Sequence, residues 1–140
     1  MSLPLEGNFQ TILIAEDDPD VLRVVSLILK SAGFTVLTAV GPSEATSIAQ
    51  DHTGTIHLLL SDVEMPGMIG PDLATNLKKL RPTLRVILMS GHADGALLVL
   101  NYGWHFIRKP FLPEALVAVV KDVLQGESRE QTTDKFDSRE

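Results

Sequence analysis

At 140 residues and 44% hydrophobic composition, the chain has the size of one domain with a real core. A net charge of −6 and a pI near 5.1 give no electrostatic footprint for direct nucleic-acid binding. The absence of cysteine excludes a disulfide framework or a thiolate metal site. No apolar run approaches the roughly 18 residues of a membrane span. No basic-then-apolar leader opens the sequence, so cytoplasmic residence and no membrane partner are expected.

Residues 1–9 are expected to be a flexible extension. Thr11 to Ala15 is a short apolar run that predicts a buried strand. Asp18-Pro19 follows, with Asp18 suited to capping a helix and Pro19 to its first position. Val21, Val24, Val25, Ile28 and Ala32 recur at helical spacing and are expected to face the core. Gly33 fits the position just past the helix end. Thr35 to Ala39 predicts a second strand, and Gly41-Pro42-Ser43 opens a helix through about Gln50. The stretch from Ile56 to Ser61 contains a third strand that ends at Asp62. A turn-rich loop, Met65 to Gly70, then leads to a helix opened by Pro71 and stopped near Arg81-Pro82. Arg85 to Met89 predicts a fourth strand ending at Ser90-Gly91. Asp94 to Asn101 predicts a weaker helix, because Gly95 lies inside it. Trp104 to Ile107 predicts a fifth strand. Pro113 to Gln125 predicts a final helix that buries Leu116, Val119, Val120 and Val123 and ends at Gly126. Residues 127–140 are charged and polar and are expected to form a disordered tail.

Strand and helix alternate five times, and the strands are almost continuously apolar. The predicted fold is therefore α/β: a doubly wound, five-stranded parallel sheet in order 2-1-3-4-5, a flavodoxin-like three-layer sandwich over residues 10–126. In such a sheet the carboxyl ends of all strands share one edge, where ligands bind. That edge should collect Glu16, Asp17, Asp62, Ser90 and Lys109. Carboxylates crowded together repel, raise one another's pKa or recruit a cation. Mg²⁺ takes oxygen ligands of this kind, so Asp17 and Asp62 are candidate metal ligands. For Asp18, capping is the preferred reading. A carboxylate can also act as a nucleophile and form an acyl phosphate, and Asp62 is the best placed candidate. Lys109 would set a fixed positive charge against phosphoryl oxygens. The Ser90 hydroxyl could donate to one of them, and Gly91 leaves room for close approach. Lys109-Pro110 is a bond type that admits the cis form.

These residues in this order resemble the receiver domain of two-component response regulators. Ile12 to Asp18 is similar to that family's acidic-pair strand, Asp62 to Gly70 to its phosphoacceptor loop, and Lys109-Pro110-Phe111 to its lysine turn. The resemblance covers about Thr11 to Gln125. It implies that Asp62 accepts a phosphoryl group from a phosphohistidine on a sensor histidine kinase or histidine phosphotransfer protein. It implies Mg²⁺ held by Asp17 and Asp62 directly, by Glu64 through its main-chain carbonyl and by Glu16 through water. Lys109 would pair with Asp62 and then with the phosphoryl group. Ser90 stands at the switch hydroxyl position and Phe106 at the switch aromatic position. Glu64 and His92 stand where the family tunes dephosphorylation. Leu22, Ser26 and Leu29 lie where receivers dock their phosphodonor. The readout face would be the helix at 94–101, the fifth strand and the final helix. The apolar residues Leu97, Leu98, Leu100, Tyr102 and Trp104 on that face make it a candidate homodimer contact. Met89 to His92 and Lys109 to Leu116 are similar to receivers of hybrid histidine kinases, so the chain is either a stand-alone regulator or such a receiver. The expectation is a signalling domain rather than an enzyme.

The alternative is an Mg²⁺-dependent aspartate-nucleophile phosphatase. That class places a nucleophile after the first strand and a second aspartate two residues later. Asp18 and Asp20 have that spacing, with Pro19 between them. A flavin-binding module on the same fold is a weaker rival, because Glu16-Asp17-Asp18 would repel a phosphate without a metal.

Overall fold

A computed structural model of the chain describes residues 10–91 and 104–126. Five strands, β1 (Thr11–Ala15), β2 (Thr35–Ala39), β3 (Leu58–Asp62), β4 (Arg85–Ser90) and β5 (His105–Arg108), form one sheet in order β2-β1-β3-β4-β5, with every pairing parallel. Four helices are described: α1 (Pro19–Ser31), α2 (Pro42–Asp51), α3 (Gly70–Leu80) and α4 (Pro113–Leu124). The doubly wound architecture expected from the alternation is present. The predicted extension 1–9, the helix at 94–101 and the tail 127–140 lie outside the described residues.

Period-two alternation divides the apolar strands between two cores. On one face Leu13, Ala15, Leu59 and Leu88 pack with Ala45, Leu73 and Leu77 of α2 and α3. On the other, Ile12, Ile14, Leu60 and Met89 pack with Leu22, Val25 and Leu29 of α1 and Leu116, Val120 and Val123 of α4. All five residues of β1 are buried, as are all five of β3. Burial on both faces explains why these strands read as continuous apolar runs.

The helix ends are tied down by side chains. Asp18 caps α1, its carboxylate accepting from the amides of Asp20 at 2.9 Å and Val21 at 3.4 Å. At the opposite edge of the sheet, Arg81 donates to the carbonyls of Ala49, His52 and Gly54 behind α2. Arg85 donates to those of Val123 and Leu124 at the end of α4. Both arginines satisfy carbonyls that have no partner within a helix.

The orientation of α1 corrects two expectations. Leu22, Ser26 and Leu29, expected to dock a partner, are buried at 7%, 6% and 0% exposure. Val24, expected in the core, is 52% exposed, and Leu27 is 57% exposed. Two overlapping apolar stripes run along this helix, and the sheet takes the one centred on Leu22, Val25 and Leu29. Smaller shifts occur elsewhere. α3 starts at Gly70, β5 runs one residue later than expected, and Leu124 replaces Val119 among the buried residues of α4.

Candidate metal and phosphoryl site

At the carboxyl edge of the sheet, four connections hold the polar residues. β1 leads into Glu16 and Asp17, β3 ends in Asp62, β4 ends in Ser90, and β5 leads into Lys109. Main-chain bonds carry the ladder past the strand ends. The amide of Glu16 donates to Ala39, that of Val63 to Met89 and that of Lys109 to Ser90. These bonds fix the starting points of all four site segments. The Lys109-Pro110 peptide is cis.

Carboxylate oxygens of Glu16, Asp17 and Asp62 lie within 4.8 Å of one another. Glu16 is buried at 1% exposure and Asp62 at 9%, while Asp17 faces solvent. Oxygen-only donors at this spacing suit a hard cation such as Mg²⁺, which retains several waters. Lys109 lies in the same cluster. Its Nζ is 2.9 Å from Glu16 Oε1 and 3.6 Å from Asp62 Oδ2. Glu16 Oε2 accepts from the Asp18 amide at 3.1 Å, so both oxygens of this buried carboxylate have partners. Asp62 Oδ1 accepts a longer bond, 3.4 Å, from the Glu64 amide.

Electrostatics follow from this geometry. Burial, and next the charge of Glu16, push the Asp62 carboxyl up from 3.8 to about 6, against the opposing pull of Lys109 and the Glu64 amide. Burial alone would depress the Lys109 ammonium. The hydrogen bond to Glu16 and the charges of Asp62 and Glu16 outweigh it and raise the pKa. At neutral pH the cluster thus holds buried carboxylates beside one cation, an excess of negative charge that a divalent cation would neutralise.

Ser90 is buried at 1% exposure at the end of β4, between Asp62 and Lys109 in strand order. Gly91 directly follows, and among the described residues a Cβ there would meet Lys109 atoms at 3.9 Å or more. Phe106 is half-buried against the α2–α3 side of the sheet. Glu64 is exposed in the loop after β3. His92 lies outside the described residues.

One residue has a different role from the one its turn composition suggested. A Cβ on Gly70 would collide with the carbonyl oxygen of Asp62, and the Gly70 amide donates to Val63 at 2.7 Å. The start of α3 is thus pressed against the main chain of the proposed acceptor. The signal in sequence was a glycine eight residues beyond Asp62 and directly before a helix-opening proline. In the same loop, Gly67 has φ +94°, a left-handed conformation that suits glycine.

The comparisons agree with this edge. Residues 12–121 match the family described as response regulator receiver domain. The sensor kinase CckA of Brucella abortus is 35% identical over 118 residues, which cover 82% of this chain and 12% of that protein. Among solved structures, a CheY-like receiver domain protein from Methanospirillum hungatei is 30% identical at a TM-score of 0.77, covering 87% of this chain and 98% of that one. The receiver domain of the hybrid histidine kinase CckA is 36% identical at a TM-score of 0.71, covering 81% and 98%. The chain spans between 12% and 28% of the length of the first curated relatives it matches. With its sheet order, its acidic edge and a match over most of its length, this chain belongs to the response regulator receiver domain family.

Proposed function

We propose that this receiver takes a phosphoryl group on Asp62 from the phosphohistidine of a sensor histidine kinase or a histidine phosphotransfer protein. The observation that carries the reading is the convergence of Asp62 with Glu16, Asp17 and Lys109 at one sheet edge. An Asp62 carboxylate oxygen would attack phosphorus as the P–N bond breaks, and the departing imidazole would take up a proton. With a pKa of about 6, Asp62 is mostly ionised at neutral pH and available as the nucleophile.

Asp17 and Asp62 would hold Mg²⁺, with the Glu64 carbonyl, while Glu16 reaches it through water. When bound, the ion would neutralise charge on the transferring phosphoryl oxygens. Lys109 would pair with the phosphoryl group once Asp62 carries it. Ser90 and Gly91 would line the approach to those oxygens, and the buried Ser90 hydroxyl would bias the packing of β4 and β5. Phe106 would respond through packing, since it has no hydroxyl.

Donor docking is better assigned to the exposed apolar residues of α1, Val24 and Leu27, than to the buried Leu22, Ser26 and Leu29. Leu112, 68% exposed beside the lysine turn, extends that surface. The readout face expected around 94–101 falls largely outside the described residues, and the homodimer expected there remains an expectation from sequence. We read the chain as a cytoplasmic signalling domain without turnover of an external substrate. The capping of α1 by the Asp18 carboxylate counts against the phosphatase alternative, in which Asp18 would be the nucleophile.

Mass spectrometry after treatment with acetyl phosphate and Mg²⁺ tests the assignment. A single labile phosphoryl adduct is expected on the native chain and none on Asp62→Asn. An adduct that persists in Asp62→Asn would overturn it.

A further inference from the structure

β3 carries one polar residue before the acceptor. Ser61 has 0% exposure and falls on the α2–α3 face of the sheet, in line with Leu59 and Val63 of that core. A buried hydroxyl costs free energy unless it is hydrogen-bonded. This one donates to the carbonyl oxygen of Asp62 at 2.9 Å. We propose that Ser61 is a positioning residue for the site. Through this bond it holds the peptide joining Asp62 to Val63, and with it the Glu64 main chain that faces the Asp62 carboxylate and the metal. The role rests on the receiver reading above.

Successive side chains of a strand point to opposite faces, so Ser61 acts on the carboxylate cluster through the backbone. In a trans peptide the C=O and the N–H point to opposite sides. The Val63 amide donates to Met89 of β4 at 2.8 Å, which turns the Asp62 carbonyl toward β1. There the pairing of β1 with β3 ends at Ala15 and Ser61. Among the described residues, no main-chain amide beyond the strands donates to that carbonyl. Gly70 presses on the same oxygen but brings it no donor, because its amide bonds Val63. Ser61 therefore supplies the donor that the ladder no longer provides. Without it the carbonyl loses a partner, and the peptide is free to turn toward another. Such a turn changes the backbone angles of Asp62 and Val63 and carries Glu64 with them. The Glu64 amide reaches Asp62 Oδ1 at a long 3.4 Å, and its carbonyl is the proposed metal ligand. Packing alone does not call for the hydroxyl, since alanine would fill the same core position.

NMR titration of the Asp17 and Glu64 amides with Mg²⁺ provides the test, alongside phosphorylation by acetyl phosphate. Ser61→Ala is expected to weaken Mg²⁺ binding about tenfold, as loss of an outer-shell partner does at other metal sites. Ser61→Cys keeps the volume but donates only weakly, and should fall between. At saturating Mg²⁺ the phosphorylation rate of both variants should return to within about twofold of native, because Asp62 and Lys109 are untouched. Thr11→Val removes another buried hydroxyl, at the far end of β1, and should leave Mg²⁺ affinity unchanged. Thermal melts check that each variant folds. If Ser61→Ala fails to fold, Ser61→Cys decides: weakened binding supports the role and native binding overturns it. A folded Ser61→Ala with native Mg²⁺ affinity would overturn the role of Ser61 while the native chain still forms its Asp62 adduct. Equal losses in Ser61→Ala and Thr11→Val would overturn it as well, by showing a general softening of the sheet. A native chain with no Asp62 adduct would instead withdraw the receiver reading, and this role with it.

Discussion

The Lys109 ammonium lies closer to Glu16, at 2.9 Å, than to Asp62, at 3.6 Å. Glutamate at position 16 is one methylene longer than aspartate and can reach across the site. The lysine is thereby shared between the two buried carboxylates, and Asp62 is the less fully compensated of the two. Replacing Glu16 with Gln removes the charge that raises the Asp62 pKa and releases Lys109 toward Asp62. The Asp62 carboxyl is therefore expected to titrate below its present value of about 6, in the direction of 3.8. A carboxyl-carbon NMR titration of Glu16→Gln measures this. An unchanged midpoint would show that Glu16 does not control the acceptor.

Asp62 should make stability depend on pH in an unusual direction for a carboxylate. Its folded pKa, about 6, lies above the unfolded value of 3.8. Between those values the folded state holds a proton that the unfolded state lacks, so the contribution of this group improves as pH falls. The penalty is fully present above about pH 6 and is gone below about pH 4. Asp62→Asn is therefore expected to be more stable than the native chain by about 1–2 kcal/mol at pH 7 in the presence of a chelator, and the difference should vanish near pH 4. Urea unfolding across pH tests both points. Mg²⁺ should stabilise the native chain at pH 7 and lose that effect as Asp62 becomes protonated.

Gly70 should tolerate no side chain. Its Cβ position is occupied by the carbonyl oxygen of Asp62, a main-chain atom that cannot swing aside. Gly70→Ala is expected to cost about 2–3 kcal/mol, comparable to overpacking in a core. The shifted loop should also slow phosphorylation of Asp62. Gly91→Ala provides the contrast, since its nearest neighbours among the described residues sit at ordinary contact distance, and its melting temperature should stay close to that of the native chain. Equal losses in the two variants would contradict the geometry.

The two faces of α1 should separate binding from folding. Val24→Glu and Leu27→Glu alter exposed positions and are expected to change stability by less than about 0.5 kcal/mol. Each should slow phosphotransfer from a cognate donor about tenfold or more, while phosphorylation by acetyl phosphate stays unchanged. Leu29→Ala, at a position with 0% exposure, should cost about 2–5 kcal/mol. Stopped-flow phosphotransfer and denaturant melts distinguish the two classes. A Leu27→Glu variant with native transfer rates would remove α1 from the docking surface.

The sequence by itself determined the order of the elements and the residues at each strand end. Strand-length apolar runs alternating with helical spacing leave few topologies once crossovers are right-handed, and a parallel sheet then places 16, 17, 62, 90 and 109 at one edge. The capping role of Asp18 was legible for the same local reason, since an aspartate before a proline acts within one turn. Only the tertiary structure decided which stripe of α1 faces inward, because both stripes are apolar and the choice depends on the opposing sheet and α4. It also decided that Lys109 bonds Glu16 more closely than Asp62, and that Gly70 abuts the Asp62 carbonyl. Those relationships join segments dozens of residues apart, or turn on distances of about an ångström, and neither periodicity nor propensity contains that information.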